Sequence, residues 1–251
     1  MEKNIQMKNI ISNYPKEVII VGGGLSIKPY ISLLQPILVN KYTILTNYAY
    51  KDFSGTFLTF TDSRHFYYPN QDCIEKKCHP YIYEDLKKLP LIIGINQNGV
   101  EEFKLPNTIL VDKKYRRDLT GGTALNILIN LLKFKGNVYL LGFDWTRRTE
   151  LPENKEDYNP KSDLQIHYYP KKETNHQGCG YIGYYEKHNP NKIFDPFSKE
   201  KDVKIFNVSP ESNINSFEKI TYEQMFELLN KEEINQDELR NYIKENLVCI
   251  I

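Results

Sequence analysis

EVIIVGGGLSIKPY, residues 17–30, decides how the rest of the chain is read. Val18, Ile19, Ile20 and Val21 form a short β-branched run, and such a run bounded by glycine reads as a buried strand. Gly22, Gly23 and Gly24 follow, then Leu25 and Ser26. The stretch alone leaves two readings of the glycines open. One is a tight strand-to-helix turn that needs positive φ. The other is a loop whose unpaired amides take an anion at a helix start, where the helix dipole also favours negative charge.

Two familiar phosphate loops do not fit. A dinucleotide fingerprint needs G-x-G-x-x-G/A, with an acidic residue about 20 positions on. Ile27 stands where the third glycine belongs, and the next strand ends in Thr46-Asn47. The P-loop signature G-x-x-x-x-G-K-[ST] is missing as well, since Lys28 is misplaced and no hydroxyl follows it.

Working outward, apolar runs at 42–50, 55–63, 89–97 and 107–115 read as further strands. TGGTALNILINLLKFKG, residues 120–136, carries Ala124, Leu125, Leu128, Ile129, Leu131 and Leu132 at helical spacing. Thr120 is its expected N-cap and Gly136 its expected C-cap. Residues 137–145 read as a strand, 180–190 as a helix, 202–210 as the last strand, and 221–233 and 235–250 as closing helices. Strands alternating with helices predict an α/β fold: a single Rossmann-like domain over 1–251 with a mainly parallel sheet. Residues 231–251 are its C-terminal helix. Residues 146–178 are polar and without period, and a segment that long reads as a lid insertion.

The bulk numbers narrow the partners. The 251 residues, 40% hydrophobic, suffice for one sizeable core. Lys plus Arg total 33 against 32 Asp plus Glu, so no overall charge calls for nucleic acid or an anionic membrane. No apolar stretch has the length of a membrane span. The first 17 residues lack the apolar core of a secretory signal. The four cysteines, Cys73, Cys78, Cys179 and Cys249, form no CxxC pair. A reduced, cytoplasmic protein is expected. His65, Cys73, Cys78 and His79 cluster in sequence but match no zinc spacing, so no metal site is assigned.

A second glycine-marked helix start, Thr120-Gly121-Gly122-Thr123, favours the ligand reading over simple capping. Glycines weaken a helix start but let a ligand approach the backbone, and the Thr hydroxyls add hydrogen bonds. In open parallel sheets, ligands sit at the carboxyl ends of the strands, which is where both sites fall.

Taken in order, VIIVGGGLS, TNYAY, FTDSRHFY, TGGTALNILINLLKFKGNVYLLGFDW, a polar segment ending in NHQG, and FNVSPESNINSFEKI resemble a known family. It groups the bacterial sialyltransferases of glycosyltransferase family 42 with the DUF115 proteins. The latter include motility-accessory glycosyltransferases, an archaeal 6-hydroxymethylpterin diphosphokinase and phage-encoded relatives. The likeness runs from Glu17 to Phe217. It implies a nucleotide site formed by Gly22, Gly23, Gly24, Ser26, Asn47, Thr120, Gly121, Gly122, Gly142 and Asp144. It also implies that the lid histidine, His176, is the general base, with His167 as the next candidate. Imidazole titrates near neutral pH and suits removal of a hydroxyl proton from an acceptor. Asp62 stands where the sialyltransferases carry Asn, and it could hold a ribose hydroxyl or a magnesium ion. Thr146 stands where they carry a phosphate-stabilising tyrosine. Arg64, Arg147, Arg148, Tyr158, Tyr168 and Tyr169 are the residues left to place the phosphate.

The expected function is thus an inverting, nucleotide-sugar-dependent glycosyltransferase using a CMP- or UDP-type donor, with His176 and Asp62 as catalytic residues. Mg²⁺ is compatible with Asp62, and the likeness to the sialyltransferases is compatible with a homo-oligomer. The alternatives are an Mg-ATP diphosphotransferase, with Asp62 and Asp144 as hard oxygen ligands, and a nucleotide-binding module without turnover.

Overall fold

The structure, a computed structural model, describes residues 14–61, 85–95, 107–145 and 189–248. Eight parallel strands form one sheet: β1 (Glu17–Val21), β2 (Thr43–Thr46), β3 (Phe57–Phe60), β4 (Ile92–Ile95), β5 (Thr108–Val111), β6 (Gly136–Leu141), β7 (Val203–Asn207) and β8 (Glu218–Lys219). Their order is β5-β4-β3-β2-β1-β6-β7-β8. The chain therefore winds outward from β1 to β5, then returns to pair β6 with the other side of β1. The β1–β6 register runs from Glu17↔Asn137 to Val21↔Leu141. With helices on both faces, this is a Rossmann-like α/β fold, as the alternating pattern predicts.

The period-two geometry of the strands explains the two layers of core. Val18 and Ile20 of β1 pack with Ile44, Val138 and Leu140 on one face. Ile19 and Val21 pack with Leu45, Tyr139 and Leu141 on the other. Because both faces are covered, the central strands β1, β2 and β3 are almost wholly buried, with Thr43, Thr46 and Thr59 standing among their apolar residues. Helix α1 (Ile31–Leu38) follows a 3₁₀ turn, Leu25–Tyr30, and buries Leu34 and Leu38 on the Ile19 face. Helix α2 (Thr120–Asn126) runs on through a wider turn, Ile127–Leu131, and covers the Val18 face. Short α3 spans Pro190–Phe194. Helix α4 (Tyr222–Leu228) opens on a Thr221/Gln224 capping box and joins the α1 layer. Helix α5 (Gln236–Val248) adds Leu239, Ile243 and Leu247 to the α2 layer. Arg240 fastens α5 to the Gly55 carbonyl (2.8 Å) and the Thr56 carbonyl (3.1 Å) just before β3.

Several sequence expectations are corrected. Helix α1 is not predicted, because Pro29 and Pro36 flank and interrupt it. Its signal is the set Ile27, Leu34 and Leu38, all fully buried on one side. The strand expected over 42–50 ends at Thr46, because Asn47 turns left-handed at φ +50°. Residues 47–51 then coil as a 3₁₀ turn. Gly136 does not cap α2. Lys133 takes the left-handed position at φ +55°, and Gly136 begins β6 at φ +134°. A Cβ there would lie 2.1 Å from the Lys16 carbonyl oxygen. Thr120 is the first helical residue of α2 and not its N-cap, which is Leu119. The strand over 202–210 is not the last, since β8 adds a parallel edge. The helix expected over 180–190 and the segment 146–178 lie outside the described residues, apart from Asn189 and Pro190.

Candidate functional site

The point where the winding reverses lies between β1 and β6. In open α/β sheets the crevice outside the strand ends at such a point is where ligands bind. Two segments meet there, Gly22–Ser26 after β1 and Gly142–Trp145 after β6. The Gly22 amide donates to the Leu141 carbonyl (2.7 Å), and the Gly24 amide to the Gly142 carbonyl (2.8 Å). The Ser26 amide donates to Asp144 Oδ2 (2.8 Å), and the Ser26 hydroxyl to Asp144 Oδ1 (2.5 Å).

These contacts give the glycines a cause different from either sequence reading. None of Gly22, Gly23 and Gly24 has positive φ; the left-handed glycine is Gly142, at φ +67°. Gly24 is glycine because a Cβ would sit 2.5 Å from the Asp144 carboxylate carbon and 2.7 Å from the Gly142 carbonyl. A Cβ on Gly22 would meet that same carbonyl at 2.7 Å. One on Gly121 would lie 2.2 Å from Phe143 Cε1. The Phe143–Asp144 turn therefore presses on both glycine-marked starts at once. Gly122 is closed off separately, by Ile193 at 2.7 Å.

The two helix starts differ in electrostatics. The Asp144 carboxylate already fills the first one, where it takes both donors of Ser26 and meets the positive end of the 3₁₀ turn. The Gly23 amide beside it makes no hydrogen bond among the described residues. The start of α2 has no side-chain cap, because Leu119 stands at its N-cap. The Thr120 hydroxyl turns instead to Asn47, donating to Oδ1 at 3.1 Å. Thr61, just past β3, lies 2.9 Å from the same Thr120 oxygen. A hydroxyl has one proton, so Thr61 is the donor in that pair. Asn47, Thr61 and Thr120 thus converge from three segments on one polar spot, with Asn47 held in a left-handed conformation that sets its side-chain direction.

The turn after β6 is braced from behind. The Phe143 carbonyl accepts from Asn207 Nδ2 (3.2 Å) and the Ser212 hydroxyl (2.7 Å). Asn213 grips the next two residues. Its amide donates to the Asp144 carbonyl (3.1 Å), and its Nδ2 donates to the Trp145 carbonyl (3.0 Å). Trp145 sits at φ +43°, an uncommon value for a bulky side chain. Tyr222 closes the far side of the first loop. Its ring stacks on Tyr30 at 4.0 Å and 15°. Its hydroxyl lies by Ser26 and the Gly142 amide but has no hydrogen bond of good geometry, and Asn207 Oδ1 is likewise unpartnered. Burial pushes the Tyr222 hydroxyl well above its ordinary pKa, and the Asp144 charge adds to that while Ser26 opposes it. Buried polar atoms without partners are few in folded proteins, and two of them flank this turn.

Of the residues singled out from sequence, Gly22, Gly23, Gly24, Ser26, Asn47, Thr120, Gly121, Gly142 and Asp144 come together at the carboxyl edge. Gly122 is buried behind them. His176, Asp62, Arg64, Arg147, Arg148, Tyr158, Tyr168 and Tyr169 lie outside the described residues, as do His167, His65, Cys73, Cys78 and His79. Sequence reasoning missed Thr61, Phe143, Asn207, Ser212, Asn213 and Tyr222. Asn207, Ser212 and Asn213 sit inside the quoted motif FNVSPESNINSFEKI, whose density of short polar residues is the signal that could have found them.

Among the described residues, no group of three or more His, Cys, Asp or Glu side chains is placed to hold a metal ion. No helix among them is long and apolar enough to cross a membrane. No protein-family model matches the chain, and no curated protein matches it.

Proposed function

We propose that this chain is a nucleotide-dependent transferase, and that its donor is a nucleotide sugar lying across the ends of β1, β6 and β2. The observation that carries the proposal is the meeting of Gly22–Ser26 with Gly142–Trp145 at the reversal point of the sheet, beside the uncapped start of α2. The resemblance to the glycosyltransferase family 42 and DUF115 proteins supports the transferase class.

The chemistry of the donor set assigns parts of the ligand. Asp144 is an acceptor with lone pairs beyond those Ser26 occupies, so it suits hydroxyls of a ribose or sugar. Its charge makes the first glycine loop a poor phosphate seat. The phosphate belongs at the other helix start, where the Thr120 and Gly121 amides are uncapped and the dipole favours an anion. Asn47 Nδ2, free of partners among the described residues, adds a donor. Bound there, the nucleotide would supply the activated bond. The chain's own residues would orient it and stabilise the charge left on the phosphate. In this proposal His176 takes the acceptor proton.

Thermal unfolding with CMP, UDP, GDP and ATP, with and without Mg²⁺, tests the class. Stabilisation by CMP or UDP without metal supports a sugar-nucleotide donor. Stabilisation by ATP with Mg²⁺ alone rejects it for a diphosphotransferase. On an identified acceptor, full turnover by His176→Ala would remove the base assignment.

A further inference from the structure

Tyr222 opens α4 and brings its ring to the first glycine loop. Its place is fixed from two sides. The Thr221/Gln224 capping box holds the helix start, with bonds of 2.9 and 3.2 Å, and the ring stacks on Tyr30 at 4.0 Å and 15°. Tyr30 ends the same 3₁₀ turn that carries Ser26. Tyr222 is only 3% exposed, and its hydroxyl has no hydrogen-bond partner among the described residues. Phenylalanine would keep the stack and the burial while removing that orphaned group. A buried hydroxyl without a bond costs stability, so its presence asks for a state in which it is bonded.

The neighbours of the hydroxyl supply that state. It lies by the Ser26 hydroxyl and the Gly142 amide. The Ser26 hydroxyl has one proton, which is spent on Asp144 Oδ1 at 2.5 Å. The other carboxylate oxygen, Oδ2, takes the Ser26 amide at 2.8 Å and faces Gly24, where a Cβ would lie 2.5 Å from it. The loop thus encloses Oδ2, and a ligand hydroxyl reaches the carboxylate at Oδ1. There it competes with the Ser26 hydroxyl for the same oxygen. Once displaced, Ser26 needs another acceptor, and Tyr222 Oη is the adjacent one whose lone pairs are unused.

We propose that Tyr222 is a positioning residue that receives the Ser26 hydroxyl when a hydroxyl of the ligand engages Asp144. The exchange keeps the loop bonded in the liganded state, so the carboxylate turns to the ligand without leaving Ser26 unpaired. In the empty state the cost falls on Tyr222 alone. This rests on the nucleotide proposal above, and it names a residue that sets affinity for the hydroxyl-bearing part of that ligand. Tyr222 acts through Ser26 and does not itself touch the ligand.

The test is a double-mutant cycle on the full chain read by thermal unfolding, followed by calorimetry with UDP and CMP. Without ligand, Tyr222→Phe should raise Tm by about 2–4 °C, because an unpaired buried hydroxyl is removed. In an Asp144→Ala background the Ser26 hydroxyl is already released to Tyr222, so the same change should lower Tm by about 2–4 °C. In Asp144→Asn, which retains one weaker acceptor, the gain should shrink, and this background decides the matter if the alanine variant does not fold. In the ligand arm, Tyr222→Phe should bind nucleotide roughly fivefold more weakly than the parent although it is the more stable protein. A tyrosine with only a structural role would not separate binding from stability in this way. Reversal of sign in the cycle, with neither nucleotide bound, keeps the Ser26 exchange and rejects the nucleotide proposal. The inference is overturned if Tyr222→Phe changes Tm equally in all three backgrounds, or if it binds nucleotide as tightly as the parent.

Discussion

Asp144 accepts two hydrogen bonds from Ser26, 118 residues away in sequence, at 2.8 Å from its amide and 2.5 Å from its hydroxyl. This pair joins the segment after β1 to the segment after β6, and it puts a carboxylate where a phosphate loop would leave amides open. Asp144→Ala should therefore cost about 1 kcal/mol, the usual loss for removing a helix-start acceptor. Asp144→Asn, which keeps one acceptor, should cost less. Urea denaturation measures both. Phosphate titration of Asp144→Ala should also show anion binding that the parent lacks at this loop.

The glycines of the second start are steric in origin. In an open helix Gly→Ala is stabilising by about 1 kcal/mol. Gly121→Ala should instead destabilise by about 1–3 kcal/mol, because the new methyl would overlap the Phe143 ring. A neutral or stabilising result in urea denaturation would remove Phe143 as the reason for this glycine.

Buried tyrosines set the alkaline limit. Burial raises the Tyr14, Tyr42 and Tyr222 hydroxyls well above their ordinary value and pushes Tyr139 up to about 12. In the unfolded chain they ionise near 10. The folded state thus holds more protons above pH 10, and stability falls as pH rises past that point. Their contribution is complete below pH 10. Tyrosinate absorbance against pH should show these groups ionising together with unfolding, after the exposed tyrosines. Tyr222→Phe, which removes a buried hydroxyl without a good partner, should unfold at a higher pH.

Asn213 fixes the turn through the Asp144 and Trp145 carbonyls. Asn213→Ala removes the side-chain bond and should cost about 1 kcal/mol. The chain has one tryptophan, so Trp145 fluorescence reports the turn directly. A changed emission with intact far-ultraviolet dichroism is expected. Unchanged emission would show that Asn213 does not hold the turn.

The sheet was legible because its inner strands are buried on both faces, so that β1 and β6 read as unbroken apolar runs, VIIV and VYLL. Helix α1 was not, since its two prolines mask a buried stripe that only tertiary packing rewards. At the site, sequence pointed to both glycine starts but not to what fills them. Contacts such as Gly121 against Phe143, or Ser26 against Asp144, join residues far apart in the chain and leave no local period. The Asn47–Thr61–Thr120 cluster was half visible. Asn47 and Thr120 stand out as polar residues at element ends, whereas Thr61 looks like one more strand threonine.

The central claim is that a nucleotide binds at the reversal point of the sheet, and amide chemical-shift mapping tests it most directly. Titration with UDP or CMP should shift Gly23, Asn47, Thr120, Gly121 and Asp144, all at the carboxyl edge. Thermal unfolding at saturating nucleotide should rise by about 5–10 °C. Shifts confined to the opposite edge, around Tyr14, Lys41 and Gly136, or no shifts with any nucleotide, would contradict it.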